Sequence, residues 1–365
     1  MISHCYVHIP FCKSICSYCD FCKLFYDTGY VNRYLDALNR EILDSYQGEV
    51  LDTLYIGGGT PSSLSLVELE KLFSILSCFK RSSSCEITIE ANFDSITEEK
   101  IDLFKKFGVN RISFGLETTH EWILKKMNRT LDLDYVRHII SYCKSVGIVN
   151  INIDLMYAFP GEVLQEVEED VSFILSLDIP HISTYSLILE EHTKLYLEHE
   201  KPISSDLDAK MYEVICSKLS DFVHYEISNF SKEGFYSKHN LCYWQNCNYY
   251  GFGLGASGYV LDIRYTNSRS ITHYLQRKYR YQEEKLSIYD IMEYEVILNL
   301  RTKFGISKEK FFDFYHRNLI DVYDYSKLVF DGYLVDDSES VFIPSKYWYL
   351  SNEIIVRLLE ESSYE

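Results

Sequence analysis

The chain lacks any long apolar run: none of its 365 residues falls in a stretch of about eighteen apolar residues, the length that crosses a bilayer as a helix. No apolar segment of the signal-peptide type precedes the first cysteines either, so we expect a cytoplasmic protein. Basic residues are also scarce, with 36 lysines and arginines against 54 aspartates and glutamates and a formal net charge of −18. Because nucleic acid requires a basic surface, this balance argues against a general affinity for nucleic acid.

Apolar residues and cysteine, by contrast, are plentiful. A hydrophobic content of 47% supports a full core, and the length predicts one large domain with a smaller one. Seven of the eleven cysteines are scattered along the chain, namely Cys5, Cys78, Cys85, Cys143, Cys216, Cys242 and Cys247. Such scatter is typical of buried thiols in a reducing cytosol, and nothing indicates the oxidising compartment that disulfides need.

The other four cysteines, Cys12, Cys16, Cys19 and Cys22, crowd into one short segment. The C-x3-C-x2-C spacing lets three thiolates bind three irons of a cubane cluster and leaves the fourth iron open to a substrate. A zinc knot would normally use two separated cysteine pairs, and no second pair follows. A ferredoxin run would place Cys-Pro where Tyr26 and Asp27 stand. The segment therefore favours an open [4Fe–4S] cluster on Cys12, Cys16 and Cys19.

Helix and strand patterns alternate along the first half of the chain. Helices are predicted over 30–45, 65–78, 97–107, 133–146, 166–177 and 206–219, and strands over 51–56, 85–91, 111–116, 150–156 and 181–187. This alternation predicts an α/β protein with a parallel barrel, and about six βα units make it a partial (β/α)6 barrel. In such barrels the carboxyl ends of the strands carry the active site, so we expect the cysteine loop in the mouth.

The remainder of the chain is less regular. We expect the barrel core over residues 1–230, a connecting region over 231–280 and a smaller α+β, winged-helix-like domain over 281–365. In that domain, Leu328–Val335 and Ser340–Ile343 are predicted to form a wing-like hairpin.

Several motifs together resemble one protein family. C-x3-C-x2-C followed by a strand ending in Gly-Gly-Gly-Thr-Pro is similar to the radical S-adenosylmethionine (SAM) superfamily. The chain further resembles the oxygen-independent coproporphyrinogen III oxidase-like branch, and within it most closely the HemW-type haem chaperones. The segments that carry this likeness are His8-Ile-Pro-Phe-Cys12, Cys19-Asp-Phe21, Gly57-Gly-Gly-Thr-Pro-Ser62, Asn110-Arg-Ile-Ser-Phe-Gly115, Asn152-Ile-Asp-Leu155, Tyr225-Glu-Ile-Ser-Asn-Phe230 and His239-Asn-Leu-Cys-Tyr-Trp244.

The resemblance implies a SAM-binding set of Tyr6, Tyr18, Gly58, Gly59, Thr60, Glu90, Glu117, Arg129 and Asp154. Glycines without side chains let backbone approach a ligand, although a plain tight turn is the alternative; a phosphate loop would need a lysine after them. Acids at strand ends, such as Glu90 and Asp154, can accept hydrogen bonds from a ligand amine or form ordinary surface pairs. Arg129 could meet the SAM carboxylate or form a salt bridge, and core packing is an equal alternative for Tyr6 and Tyr18.

Four positions depart from the family pattern. The family usually has glutamine at Glu117, proline at Phe93 and glycine at Ala158. Cys22 is an additional cysteine that HemW-type chains typically lack. Because a fourth thiolate would block SAM, we expect Cys22 not to bind iron in the active form.

The block His239, Asn240, Tyr243 and Trp244 is the part the resemblance associates with haem. An imidazole can ligate haem iron while aromatic neighbours cover the porphyrin, although a lone histidine is more often structural. The resemblance implies a haem chaperone that binds a [4Fe–4S] cluster, SAM and haem, passes haem to an acceptor protein at the membrane surface, and is compatible with a homodimer. The alternatives are an oxygen-independent coproporphyrinogen III oxidase, a radical enzyme that decarboxylates propionate side chains, and an iron–sulfur module without SAM chemistry.

Overall fold

The structure is a computed structural model that describes residues 2–360. These residues divide into two compact units. The first runs to Asp221 and resumes over Asn248–Glu284, and the second comprises Phe222–Cys247 and the chain from Lys285 onward. The boundaries expected near residues 230 and 280 stay predictions. No helix within residues 2–360 has both the length and the apolar character that crossing a membrane requires.

Six parallel strands form the frame of the first unit. They are β1 (His4–Ile9), β2 (Val50–Gly58), β3 (Lys80–Asn92), β4 (Arg111–Glu117), β5 (Asn150–Tyr157) and β6 (His181–Ser186). Each pairs in parallel with the next, and a short strand, Tyr250–Phe252, pairs in parallel with the outer edge of β1. Because this order follows the chain and does not return from β6 to β1, the sheet is open, as the partial (β/α)6 prediction requires.

Helices follow these strands at the positions that the apolar periodicity predicts. They span Thr28–Ser45, Leu66–Leu76, Glu98–Phe107, Leu133–Ser145, Leu164–Ser176 and Ser205–Lys218, with shorter helices at Glu121–Lys126, Lys194–Leu197 and Ile271–Leu275 and a 3₁₀ turn at Pro61–Ser63. Side-chain caps define where several begin: Ser65 and Glu68 form a reciprocal capping box, and Thr97 accepts from the Lys100 amide. The strands Phe11–Cys12 and Leu24–Phe25 pair with each other, and Ser257–Val260, Ile263–Asn267 and Arg280–Lys285 form a small sheet.

The second unit is a small α+β domain. Its helices are Lys238–Trp244, Ile288–Asn299, Lys308–Tyr315, Leu319–Val322, Ser326–Phe330 and Ser351–Glu360, with a 3₁₀ segment at Ser345–Leu350. One strand, Val223–Glu226, pairs with Asn229–Ser231. A three-stranded sheet consists of Ile306–Ser307, Ser340–Phe342 and Val335–Asp336. Its core includes the fully buried Trp348, Phe311 and Val296.

The wing-like hairpin exists, but its first arm is shorter than predicted. Val335–Asp336 pairs with Ser340–Phe342, whereas Ser326–Phe330 is helical. Gly332, with φ of +77°, ends that helix by donating to the Val329 carbonyl. The strand prediction over Leu328–Phe330 was therefore wrong, because an apolar run this short fits a buried helical turn as well as a strand.

Candidate functional site

The cysteine loop leaves the carboxyl end of β1 and is tied down on both sides. Its base is closed by parallel pairing of Phe11–Cys12 with Leu24–Phe25. In the middle, the Ser17 hydroxyl donates to the Lys126 carbonyl at 2.6 Å, and the Asn128 side-chain amide donates to Ser14 Oγ at 2.9 Å. The loop therefore has a fixed conformation that depends on residues more than a hundred positions away.

Cys12, Cys16 and Cys19 all lie on this loop. The Cys19 amide donates to the Cys16 carbonyl at 3.2 Å, and the Thr60 hydroxyl donates to Cys12 Sγ at 3.6 Å. Burial raises the pKa of the Cys12 thiol to about 11 against the Thr60 hydrogen bond, and Cys19 and Cys16 add electrostatically to that rise. Three cysteines on one loop, with Cys16 and Cys19 both close enough to act electrostatically on Cys12, are a donor set that fits a cluster with three protein ligands.

Cys22 lies in different surroundings. A side chain on Gly255 would come within 2.9 Å of Cys22 Sγ. Burial raises the pKa of the Cys22 thiol, and Arg269 opposes that rise by charge and by a hydrogen bond. Cys22 is thus held beside Gly255 and Arg269, which supports leaving it out of the donor set.

The glycine triplet at the end of β2 is packed too tightly for any side chain. A Cβ on Gly58, whose φ is +118°, would lie 2.6 Å from the His8 ring. On Gly59 it would lie 2.7 Å from the Pro10 carbonyl carbon and 2.9 Å from Cys12 Sγ. The triplet therefore lets β2 pass directly beside the cysteine loop, a close approach that only glycine permits.

Glu90, in β3, binds this glycine turn. The Gly58 amide donates to Glu90 Oε2 at 2.8 Å, and the Tyr55 hydroxyl donates to Oε1 at 2.8 Å. Burial raises the pKa of Glu90 to about 7, although these two hydrogen bonds favour the ionised form. A carboxylate so placed gains from a nearby cation, so a ligand amine would be its natural partner.

Asp154, in β5, is held by polar neighbours on adjacent strands. Its Oδ1 accepts from the Asn152 side-chain amide at 2.8 Å, and its Oδ2 accepts from the Ser113 hydroxyl at 3.3 Å. Burial raises the pKa of Asp154 against these hydrogen bonds. Asn152 also contacts His181 Nδ1 at 2.6 Å, so one polar network crosses β4, β5 and β6.

Glu117 and Arg129 pair with each other. Arg129 Nη1 donates to Glu117 Oε1 at 2.7 Å, and Arg129 Nη2 donates to the Gly115 carbonyl at 2.8 Å. Burial raises the pKa of Glu117 to about 6, and the Arg129 charge opposes the rise. The salt-bridge alternative for Arg129 is therefore present, and contact of either residue with SAM stays a prediction.

Tyr6 joins the site through a histidine whose role the sequence did not single out. The Tyr6 hydroxyl lies 2.9 Å from His8 Nδ1, and His8 Nε2 lies 2.7 Å from the Cys22 carbonyl. Burial lowers the pKa of His8 to about 4, so the ring is neutral and bridges β1 to the cysteine loop. In the sequence, the motif His8-Ile-Pro-Phe-Cys12 already places this histidine four residues before the first cysteine of the loop. Tyr18 packs on the cluster that contains Ile123 and Met127, as its core-packing alternative requires.

The four residues associated with haem lie in the second unit. Helix Lys238–Trp244 carries His239, Asn240, Tyr243 and Trp244, and the Ser237 hydroxyl caps it by accepting from the Asn240 amide. His239 is fully buried, and its Nε2 lies 2.8 Å from the Tyr243 hydroxyl. Trp244 hydrogen-bonds Glu226 of the same unit. In this conformation His239 Nε2 is engaged, so axial ligation of haem stays a prediction and requires this contact to open.

A three-cysteine loop beside a glycine turn, with acids on neighbouring strands of an open parallel barrel, defines a radical SAM protein. Accordingly, residues 6–174 match the Radical SAM superfamily. The fold is similar to that of coproporphyrinogen III oxidase (HemN) from Escherichia coli, described as a radical SAM enzyme, with a TM-score of 0.83 at 20% identity over 97% of this chain and 89% of that one. At this identity the likeness shows the fold alone.

Two relatives that align over nearly the whole chain narrow the assignment from the superfamily to one family. The chain is 39% identical to "Heme chaperone HemW" of Lactococcus lactis subsp. lactis (strain IL1403), over 97% of this chain and 96% of the relative. It is 37% identical to "Heme chaperone HemW" of Bacillus subtilis (strain 168), over 98% and 99%. The chain belongs to the HemW family of the radical SAM superfamily. Membership of the superfamily implies a [4Fe–4S] cluster and SAM, and the three-thiol donor set fits such a cluster.

Proposed function

We propose that this protein is a haem chaperone that binds a [4Fe–4S] cluster, SAM and haem and delivers haem to a haem-requiring acceptor protein. The observation that carries the proposal is the 39% identity to a heme chaperone HemW over 97% of this chain. That alignment extends through the second unit, which holds the His239 helix. The scattered cysteines support a reducing, cytoplasmic compartment.

In this proposal the first unit holds the cluster on Cys12, Cys16 and Cys19. When bound, such a cluster supplies an open iron that can take the amino and carboxylate groups of SAM. Glu90 and Asp154 would orient the SAM amine, since both are already fixed by hydrogen-bond donors and both gain from a neighbouring cation. Gly58 and Gly59 keep the strand end beside Cys12 free of side chains.

The second unit would bind haem through the helix Lys238–Trp244. Tyr243 and Trp244 offer aromatic surface, and His239 offers an imidazole once Tyr243 releases it. We propose the haem role for this helix rather than for the barrel, because it is the block by which the chain resembles the chaperones rather than the oxidases.

The deciding experiment compares haem with coproporphyrinogen III as ligands of the full chain. The cluster is reconstituted anaerobically, SAM is added, and each compound is titrated while its absorption spectrum and any released carbon dioxide are measured. We expect stoichiometric haem uptake and no decarboxylation. Decarboxylated porphyrinogen would replace the proposal by an oxidase, and failure to retain haem through gel filtration would refute it.

Transfer is tested in a second step. The haem-loaded protein is mixed with an apo-haem protein on an affinity resin, and the haem on each fraction is measured with SAM present and absent. We expect haem to reach the acceptor faster from this protein than from haem-loaded albumin. Equal rates of haem transfer from this protein and from albumin would indicate a haem-binding protein without chaperone activity.

A further inference from the structure

Two cysteines meet where the helix Lys238–Trp244 ends. The Cys247 amide donates to the Cys242 carbonyl at 2.9 Å, and the Asn246 amide donates to the Tyr243 carbonyl at 3.1 Å. Asn246 has φ of +52°, the left-handed conformation. These two hydrogen bonds and the left-handed residue make a Schellman motif, in which the residues at the positions of Cys242 and Cys247 normally touch through apolar side chains.

In this chain the contact joins two sulfurs. Cys242 Sγ and Cys247 Sγ lie within 4.8 Å of each other, and no disulfide joins them in this conformation. The turn is itself anchored within the second unit, since the Asn246 side-chain amide donates to the Ile291 carbonyl at 3.2 Å. The backbone therefore holds the thiols together, and rotation about the side-chain bonds can bring them to the roughly 2 Å of a disulfide.

We propose that Cys242 and Cys247 form an oxidisable dithiol that closes to a disulfide when a low-molecular-weight disulfide is present. The Cys247 thiolate attacks one sulfur of the oxidant, and the first small thiolate leaves and takes up the proton that Cys247 lost. Cys242 then attacks Cys247 Sγ, and the second small thiolate leaves and takes up the Cys242 proton. Two protein thiols are oxidised by two electrons, and one small disulfide is reduced to two thiols.

The surroundings of the two sulfurs set this order of attack. Cys242 is only 2% exposed, whereas Cys247 is partly exposed. Burial raises the pKa of the Cys242 thiol, and the neighbouring Cys247 raises it further, so Cys242 keeps its proton while Cys247 reacts. Cytosolic disulfides are usually transient and responsive to redox conditions, which is the behaviour expected of this pair. The proposal goes beyond haem binding and does not depend on it.

Peptide mapping tests the proposal on the intact chain. Trypsin releases His239–Arg264 as one peptide whose only cysteines are Cys242 and Cys247. The protein is treated anaerobically with glutathione disulfide, quenched with acid and N-ethylmaleimide, digested and analysed by mass spectrometry without reduction. We expect this peptide to carry no maleimide and to be lighter than its dithiol form by two hydrogen atoms. Treatment with dithiothreitol should restore two cysteines that react with maleimide. The exposed Cys78 should carry mixed glutathione disulfide, which shows that oxidant reached the protein.

Single variants identify the attacking thiol. In Cys242→Ser, the peptide should retain a stable glutathione adduct on Cys247, and in Cys247→Ser the peptide should remain unmodified. The wild-type measurement decides the proposal even if a variant does not fold. Two maleimide-labelled cysteines in the wild-type peptide, beside a glutathionylated Cys78, would overturn it, and so would adducts on both cysteines with no internal disulfide.

Discussion

Arg129 Nη1 donates to Glu117 Oε1 at 2.7 Å, and the two side chains are only 6% and 10% exposed. Glu117 is the last residue of β4 and has φ of +70°, so the strand turns at that residue and directs its carboxylate to the arginine. This chain therefore has a buried ion pair at the position where the resemblance leads us to expect an amide. Arg129 also donates to the Gly115 carbonyl, so the pair joins the strand end to the segment that anchors the cysteine loop.

Removing one partner of this pair should be costly. Glu117→Ala leaves a buried guanidinium without its counter-charge, and we expect a loss of about 3–5 kcal/mol in the free energy of unfolding. Glu117→Gln should lose less, because its amide oxygen can still accept from Arg129. Denaturant unfolding of each full-length variant measures the effect. Asp36→Asn, which breaks the exposed Lys71–Asp36 pair, is the control and should change stability by less than about 1 kcal/mol. Equal losses in Glu117→Ala and Asp36→Asn would contradict the buried-pair interpretation.

The barrel could be predicted because its pattern is local. The buried faces of helices such as Leu133–Ser145, and apolar strands such as β4, depend on spacing within one segment. By contrast, β1 was not predicted, because His4 and His8 interrupt its apolar residues. Its place in the sheet is set by pairing with β2, where Tyr6 faces Tyr55 in register. Such pairing depends on residues far apart in the chain.

The same limit applies to the site. The cysteine spacing and the glycine triplet could be recognised because each is a short segment. The partner of Arg129 could not, since Glu117 lies twelve residues earlier in the chain and only the folded turn brings the two side chains together. Ala158, where the resemblance leads us to expect glycine, has φ of +68°, so an alanine occupies a left-handed position.

Glu90 should make stability depend on pH. Burial raises its pKa from 4.5 to about 7, so between these pH values the folded state holds a proton that the unfolded state has released. The free energy of unfolding therefore falls as pH rises through this window. Glu90→Gln removes the effect, so the stability of the variant relative to wild type should rise by about 3 kcal/mol from pH 4.5 to pH 8. Urea unfolding of the cluster-free protein across this range provides the measurement, and a difference independent of pH would refute the raised pKa.

Two glycines, one in the glycine turn and one outside it, separate the cost of backbone strain from the cost of a clash with neighbouring atoms. Gly58 and Gly234 both have positive φ, of +118° and +85°, but only Gly58 has protein atoms where a Cβ would lie. Gly234→Ala should cost about 1–2 kcal/mol from backbone strain alone. Gly58→Ala should cost more and should also reduce iron uptake, because the added methyl displaces His8 and the cysteine loop. Unfolding curves and iron content per chain separate the two effects, and full iron content in Gly58→Ala would contradict this role of the turn.

Cysteine variants test the three-ligand donor set. Cys12→Ala, Cys16→Ala and Cys19→Ala should each abolish the cluster after anaerobic reconstitution, since each removes one of three thiolates. Cys22→Ala should retain it, because its sulfur lies beside Gly255 and Arg269. Cys143→Ala, in the buried face of helix Leu133–Ser145, controls for loss of a buried thiol away from the loop. Iron analysis and Mössbauer spectra provide the measurement, and equal iron loss in Cys22→Ala and Cys12→Ala would rule out the assignment.

Because His239 Nε2 contacts the Tyr243 hydroxyl, we expect variants of these two residues to have opposite effects on haem binding. If His239 ligates haem iron, His239→Ala should weaken haem binding at least tenfold and shift the Soret band. Tyr243→Phe removes the hydroxyl that lies 2.8 Å from Nε2, so the imidazole no longer has to be released and haem should bind as tightly as in wild type or more tightly. His138→Ala, which removes an exposed histidine of the first unit, is the control and should leave haem binding unchanged. Haem titrations with absorption and electron paramagnetic resonance spectra distinguish these outcomes. An unaltered spectrum in His239→Ala would assign the histidine to packing of the helix and move the search for the axial ligand elsewhere in the chain.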